Sequence, residues 1–90
     1  MIKYYKNGFS IFKTDTDKNE IISVTNHPEN KGMVYSFGAE NIAQSMMDSF
    51  TSQVGILRPG GAMTTETTEE EFLLYRSEVL EHFTSAGVNI

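Results

Sequence analysis

This sequence predicts an α+β fold: a four-stranded antiparallel meander sheet followed by two helices packed on one face. Three observations lead there. The first 37 residues alternate between short runs rich in aromatic and β-branched residues and compact polar turns. Two later stretches, 38–55 and 69–87, carry apolar residues at helical spacing. All the strands come before the helices, and their short connections join antiparallel neighbours.

The first hairpin joins Ile2–Lys6 to Phe9–Thr14 through Asn7-Gly8. Asn-Gly between two such runs is a strong turn signal, because both residues tolerate positive φ. A two-residue turn there sets Tyr4 opposite Ile11. A bulged turn shifts the register by one residue and exchanges the faces, so the burial of Tyr4 against Tyr5 stays open. Asp15–Asn19 is the second turn and Glu20–Thr25 the third strand. Asn26–Gly32 is the third turn, since Pro28 lacks a ladder donor and Gly32 accepts positive φ. Met33–Phe37 is the fourth strand.

The helix over 38–55 takes its stripe from Ile42, Met46, Phe50 and Val54, with Ala43 and Met47 beside them. Gly38 is its expected N-cap, Glu40 lies in its first turn, and Gly55 ends it. The segment 56–68 is expected to be a loop. The helix over 69–87 opens on a capping box, Thr68 with Glu71, and Glu69 and Glu70 complement its dipole. Phe72, Val79 and Phe83, with Leu73, Leu80 and Ala86, form its stripe, and Gly87 caps it, with Val88 placed to cover that end.

The chain has 90 residues, enough for one domain over 1–90. A domain this size buries about 60–65% of its unfolded surface, so its core is small. It contains no cysteine, so neither a disulfide nor a thiolate metal site braces it. A homo-oligomer is expected for that reason, and Met46-Met47 is a candidate helix-mediated contact. No apolar run reaches the roughly 20 residues of a membrane span, and MIKYYKNGF lacks a secretory apolar segment, so a cytoplasmic location is expected.

The net charge is −5. Five lysines balance five acids in residues 1–45. Residues 46–90 hold Arg58 and Arg76 against Asp48, Glu66, Glu69, Glu70, Glu71, Glu78 and Glu81. That distribution argues against nucleic-acid binding, and an acidic face is able to attract a partner with a basic surface. The plain alternative is a solvated helix face that keeps the chain soluble.

Catalytic and metal chemistry find little footing. Asp15, Asp17 and Asn19 have the first three spacings of a calcium loop, but Glu20 and Asn26 stand where glycine and a bidentate glutamate are required. His27 precedes a proline, and His82 follows Glu78 by one helical turn as an ordinary surface pair. No phosphate loop, nucleophile elbow or dinucleotide fingerprint is present. No enzyme, cofactor or metal is expected.

Arg58-Pro59-Gly60-Gly61, followed by Thr64 and Thr65, is the most suggestive stretch. Glycine amides approach a phosphate closely, threonine hydroxyls donate, and arginine pairs bidentately. The same composition also makes a flexible connector. Tyr4 and Tyr5 join these residues as candidate partner contacts, because tyrosine is favoured at interfaces.

In size, acidity and lack of cysteine the chain resembles the small accessory proteins that phages encode. That resemblance implies a non-enzymatic inhibitor that blocks a host defence protein by occupying its surface. The alternative is a small-molecule binder that sequesters a phosphorylated ligand, such as a cyclic nucleotide, through Arg58 and Gly60-Gly61.

Overall fold

A computed structural model describes residues 1–37, 41–56 and 63–85. In chain order the elements are β1 (Ile2–Asn7), β2 (Ser10–Asp15), β3 (Glu20–His27), β4 (Asn30–Phe37), α1 (Ile42–Gln53), β5 (Thr64–Thr67) and α2 (Glu69–Ser85). The strands form one antiparallel sheet ordered β4-β3-β2-β1-β5. The four-stranded meander is present, and a fifth strand is added to it.

That strand, β5, lies inside the segment expected to be a loop. Thr64, Thr65 and Thr67, three of its four residues, are β-branched and suit a pleated surface. They pair with β1 from Asn7↔Thr64 to Tyr4↔Thr67, which satisfies backbone groups that β1 would otherwise leave open at the sheet margin. The Asn7 Nδ2 donates to the Thr64 hydroxyl at 2.9 Å. The Gly55 N–H donates to the Thr64 carbonyl at 3.0 Å, tying the end of α1 to β5.

Two turns are placed differently from expectation. The first hairpin turns at Gly8-Phe9, with Asn7↔Ser10 and Lys6↔Ile11 as partners. Gly8 has φ 58, and a two-residue hairpin with glycine first needs a positive φ at that place. The displacement from the expected register is two residues, so Tyr4 and Ile11 keep a common face. The third turn shrinks to Pro28-Glu29, and Gly32 lies within β4. Proline presets φ for the first position of such a turn, and the Glu29 N–H donates to His27 Nδ1 at 3.0 Å.

The two helices cover opposite faces of the sheet, not one. Phe72 and Val79 of α2 pack with Ile11 and Val24, flanked by Tyr4 and Ile22. Met47 and Phe50 of α1 pack with Tyr5, flanked by Phe12 and Met46. Neighbouring strand residues point to opposite faces, so Tyr4 and Tyr5, or Ile11 and Phe12, cannot meet the same helix. The cause is visible in the strands: the doublets Tyr4-Tyr5, Ile11-Phe12 and Ile21-Ile22 make both faces apolar. Between the helices, β5 runs along the sheet margin and carries the chain from one face to the other.

Within α1 the buried residues are Ala43, Met47 and Phe50. Ile42 and Met46 are half-buried and Val54 is exposed, so the expected stripe is centred on its Ala43, Met47 and Phe50 side. Met47 is thereby committed to the chain's own core rather than to a second helix. The expected N-cap Gly38, and Glu40, lie outside the described residues. The observed N-cap is Asn41, at φ 57, and Asn19 Oδ1 accepts the Ala43 N–H at 3.1 Å. A side chain from the β2–β3 turn thus satisfies a donor of the helix's first turn. Gly55, at φ 79, follows the helix as expected.

At the start of α2, half of the capping box forms: the Thr68 hydroxyl accepts the Glu71 N–H at 3.3 Å. The Glu71 carboxylate turns instead to Thr67, whose hydroxyl donates at 2.7 Å, and to Lys6 Nζ at 3.5 Å. Phe72 and Val79 are buried, and Tyr75 and Phe83 flank them. Leu73, expected on the inward stripe, is exposed. Ala86, Gly87 and Val88 lie outside the described residues.

Candidate interaction surface

Among the described residues, the predicted contacts Tyr4, Tyr5, Thr64 and Thr65 divide between the two faces of the sheet. Arg58, Gly60 and Gly61 lie outside the described residues. Tyr5 is 1% exposed; its ring stacks on Phe50 at 5.1 Å and its hydroxyl meets Thr51 at 2.9 Å. Thr64 is buried under its bond from Asn7. Tyr5 and Thr64 therefore serve the interior. Tyr4 is half-buried on the opposite face, 5.6 Å from the Phe72 ring. Burial pushes its hydroxyl pKa above the usual 10.0, and the carboxylates of Glu69 and Asp15 add to this. Thr65 shares that face, opposite Lys6, and is exposed.

The calcium-like triplet is divided among separate structural tasks. Asp15 Oδ1 accepts the Asp17 and Lys18 N–H groups at 3.0 and 3.2 Å, closing an Asx turn. Asp17 pairs with the N-terminal amine at 3.0 Å, and Asn19 accepts the Ala43 N–H of α1. His27 presents its ring edge-on to Phe9 at 4.6 Å, and His82 lies against Phe83 at 5.5 Å. Lys6 sits 5.3 Å from the centre of the Tyr75 ring. A hydrogen bond with Tyr75, aided by Glu71 and opposed by partial burial, raises the lysine's pKa. Among the described residues no pocket opens, no metal-ligand cluster gathers, and no helix is long and apolar enough to cross a membrane.

Among the described residues, the exposed apolar side chains include two groups of adjacent residues within regular elements. The first is the outer face of α2. Leu73 and Leu74 are 48% and 57% exposed there. Glu70, Leu74, Ser77 and Glu81 follow the i, i+4, i+7, i+11 line, directly opposite Phe72 and Val79. With Glu69 and Glu78, four exposed glutamates on this helix stand against Arg76. The second surface is β4, the outermost strand, where the consecutive residues Met33, Val34 and Tyr35 are all exposed. The Tyr35 hydroxyl donates to the Glu20 carboxylate.

Sequence reasoning assigned neither Leu73-Leu74 nor Met33-Val34-Tyr35 to the site, although each leaves a trace. Leu73-Leu74 places one leucine out of phase with the buried stripe. Met33-Val34-Tyr35 is continuously apolar in the last strand of the meander, which no strand other than β3 covers among the described residues.

Compared with known proteins, the chain matches no family model, no curated protein and no solved structure.

Proposed function

We propose that this chain is a non-enzymatic binding protein that blocks a protein partner by occupying its surface, and that the outer face of α2 makes the contact. The exposure of Leu73 and Leu74 among four glutamates carries this reading. Burying a leucine side chain contributes about 1.5–3 kcal/mol, so two of them supply an apolar centre. Surrounding carboxylates steer a basic partner and discourage others. The partner implied is a protein whose apolar patch is rimmed by lysine and arginine. A phage-type inhibitor acting on a host defence protein in the cytoplasm fits this description.

Capture from cytoplasmic extract tests the reading. Leu73→Ser/Leu74→Ser should release the partner while the melting curve stays close to wild type, because both side chains face solvent. Binding should also weaken as salt rises. Retention of the same partner by the double variant would remove α2 from the contact. The alternative, a sequestered phosphorylated ligand, has its own assay. A nucleotide that raises the melting temperature of wild type but not of Arg58→Ala would favour it.

A further inference from the structure

We infer that Asn7-Gly8 is a self-modification site: the Gly8 main-chain nitrogen closes on the Asn7 side-chain amide, and the Thr64 hydroxyl of β5 sets the rate. Asn7 shares the Tyr5 face of the sheet, away from α2. Of the six asparagines, Asn7 alone precedes a glycine. At the others the following side chain crowds the attacking nitrogen, whereas glycine leaves it open. Gly8 is exposed, and among the described residues nothing lies within 4 Å of where its Cβ would stand. Two restraints oppose the reaction. The Asn7 Nδ2 donates to the Thr64 hydroxyl at 2.9 Å, and Thr64 is 2% exposed. Asn7 also ends β1, and an extended backbone turns its Cβ away from the next nitrogen. The reacting atoms reach attack distance only when both restraints lapse. β5 has four residues, of which Thr65 and Glu66 are exposed, so it opens at lower cost than the central strands.

Once the amide is free, the Gly8 nitrogen attacks Asn7 Cγ. A bond forms between them, the Cγ–Nδ2 bond breaks, and the Gly8 proton leaves with Nδ2 as ammonia. Water then opens the succinimide ring. Addition at Cγ leaves an aspartate, and addition at the main-chain carbonyl leaves an isoaspartate. Water is the only other reactant. The fold retains the aspartate, because the Thr64 hydroxyl donates to a carboxylate as readily as it accepts from an amide. The isoaspartate adds one atom to the main chain inside a two-residue turn. Hairpin register depends on turn length, so this product displaces Asn7 from both Ser10 and Thr64.

Tryptic mapping reads the site directly, because cleavage after Lys6 and Lys13 releases Asn7–Lys13 as one fragment. Folded wild type kept in warm, mildly alkaline buffer should lose the Asn7 amide slowly, its two products separated by chromatography and mass. Wild type in urea should lose it faster. Thr64→Val, which removes only the hydroxyl, should raise the folded rate about 2- to 12-fold, the factor that one net hydrogen bond represents. Thr64→Ser keeps the hydroxyl and should react at close to the wild-type rate. Gly8→Ala should slow the reaction in urea, where no turn is strained. A folded wild-type rate equal to that in urea would overturn the inference. So would a Thr64→Val chain, folded by circular dichroism, that reacts no faster than wild type, or a rate in urea that Gly8→Ala leaves unchanged.

Discussion

Replacing Phe50 by alanine removes the ring that joins α1 to the sheet. Phe50 is 8% exposed, with Tyr5 at 5.1 Å and Phe12 at 4.7 Å between ring centres. Deleting a buried phenylalanine costs about 3–5 kcal/mol through lost transfer energy and the cavity left behind. Each aromatic pair contributes about 0.5–1.5 kcal/mol of this. A chain of this length has about 5–13 kcal/mol in total, so the variant loses from about a quarter of its stability to all of it. Urea unfolding followed by circular dichroism should show a lower midpoint and an unchanged slope. At about 4–8 °C per kcal/mol, the melting temperature should fall by at least about 12 °C. Leu74→Ala, on the exposed face of α2, should stay within about 0.5 kcal/mol of wild type. A loss below about 1 kcal/mol for Phe50→Ala would refute its enclosure by Tyr5 and Phe12. A double-mutant cycle then checks the placement of the helices. Phe50→Leu and Val79→Ala lie in clusters on opposite faces with no shared partner, so their effects should add within about 0.3–0.5 kcal/mol. Coupling above that range would mean that the two helices share one core.

Three further outcomes follow from the backbone and the titrating groups. Gly8→Ala should cost about 1–2 kcal/mol by calorimetry, because φ 58 strains an L side chain although the space around it is open. Gly32→Ala should instead gain about 0.4–1 kcal/mol, since Gly32 lies in β4 without positive φ and with nothing near its absent Cβ; a loss there would show that the strand backbone is misread. Stability should also fall at alkaline pH. Burial raises the pKa of Tyr4, the bond to Glu20 raises that of Tyr35, and the bond with Tyr75 raises that of Lys6. All three groups hold their protons more tightly when folded. Their contribution is complete below the ordinary values of 10.0 and 10.5 and is lost as pH rises through the folded values. Melting temperatures compared at about pH 9 and pH 11 should decline in wild type and decline less in a Tyr35→Phe/Lys6→Met variant.

Local chemistry was legible in the sequence wherever neighbours along the chain decide the outcome. The four meander strands and both helices follow from β-branched runs, turn residues and helical spacing. Gly55 past α1 and the Thr68 hydroxyl at the start of α2 follow from the backbone needs of helix ends. Tertiary structure decided what depends on distant partners. The run Thr64–Thr67 becomes a strand only because β1 offers it a margin to pair with. Asn19 accepts a first-turn N–H of α1 only because the sheet brings the β2–β3 turn beside that helix. The facing of the helices turned on doublets such as Tyr4-Tyr5 and Ile11-Phe12. Each was readable as apolar, but whether one face or two required cover depended on where the chain returned. The surfaces followed the same rule. Leu74 and Val34 are apolar in sequence like any core residue, and only the completed packing leaves them facing outward, since exposure is a property of the whole fold.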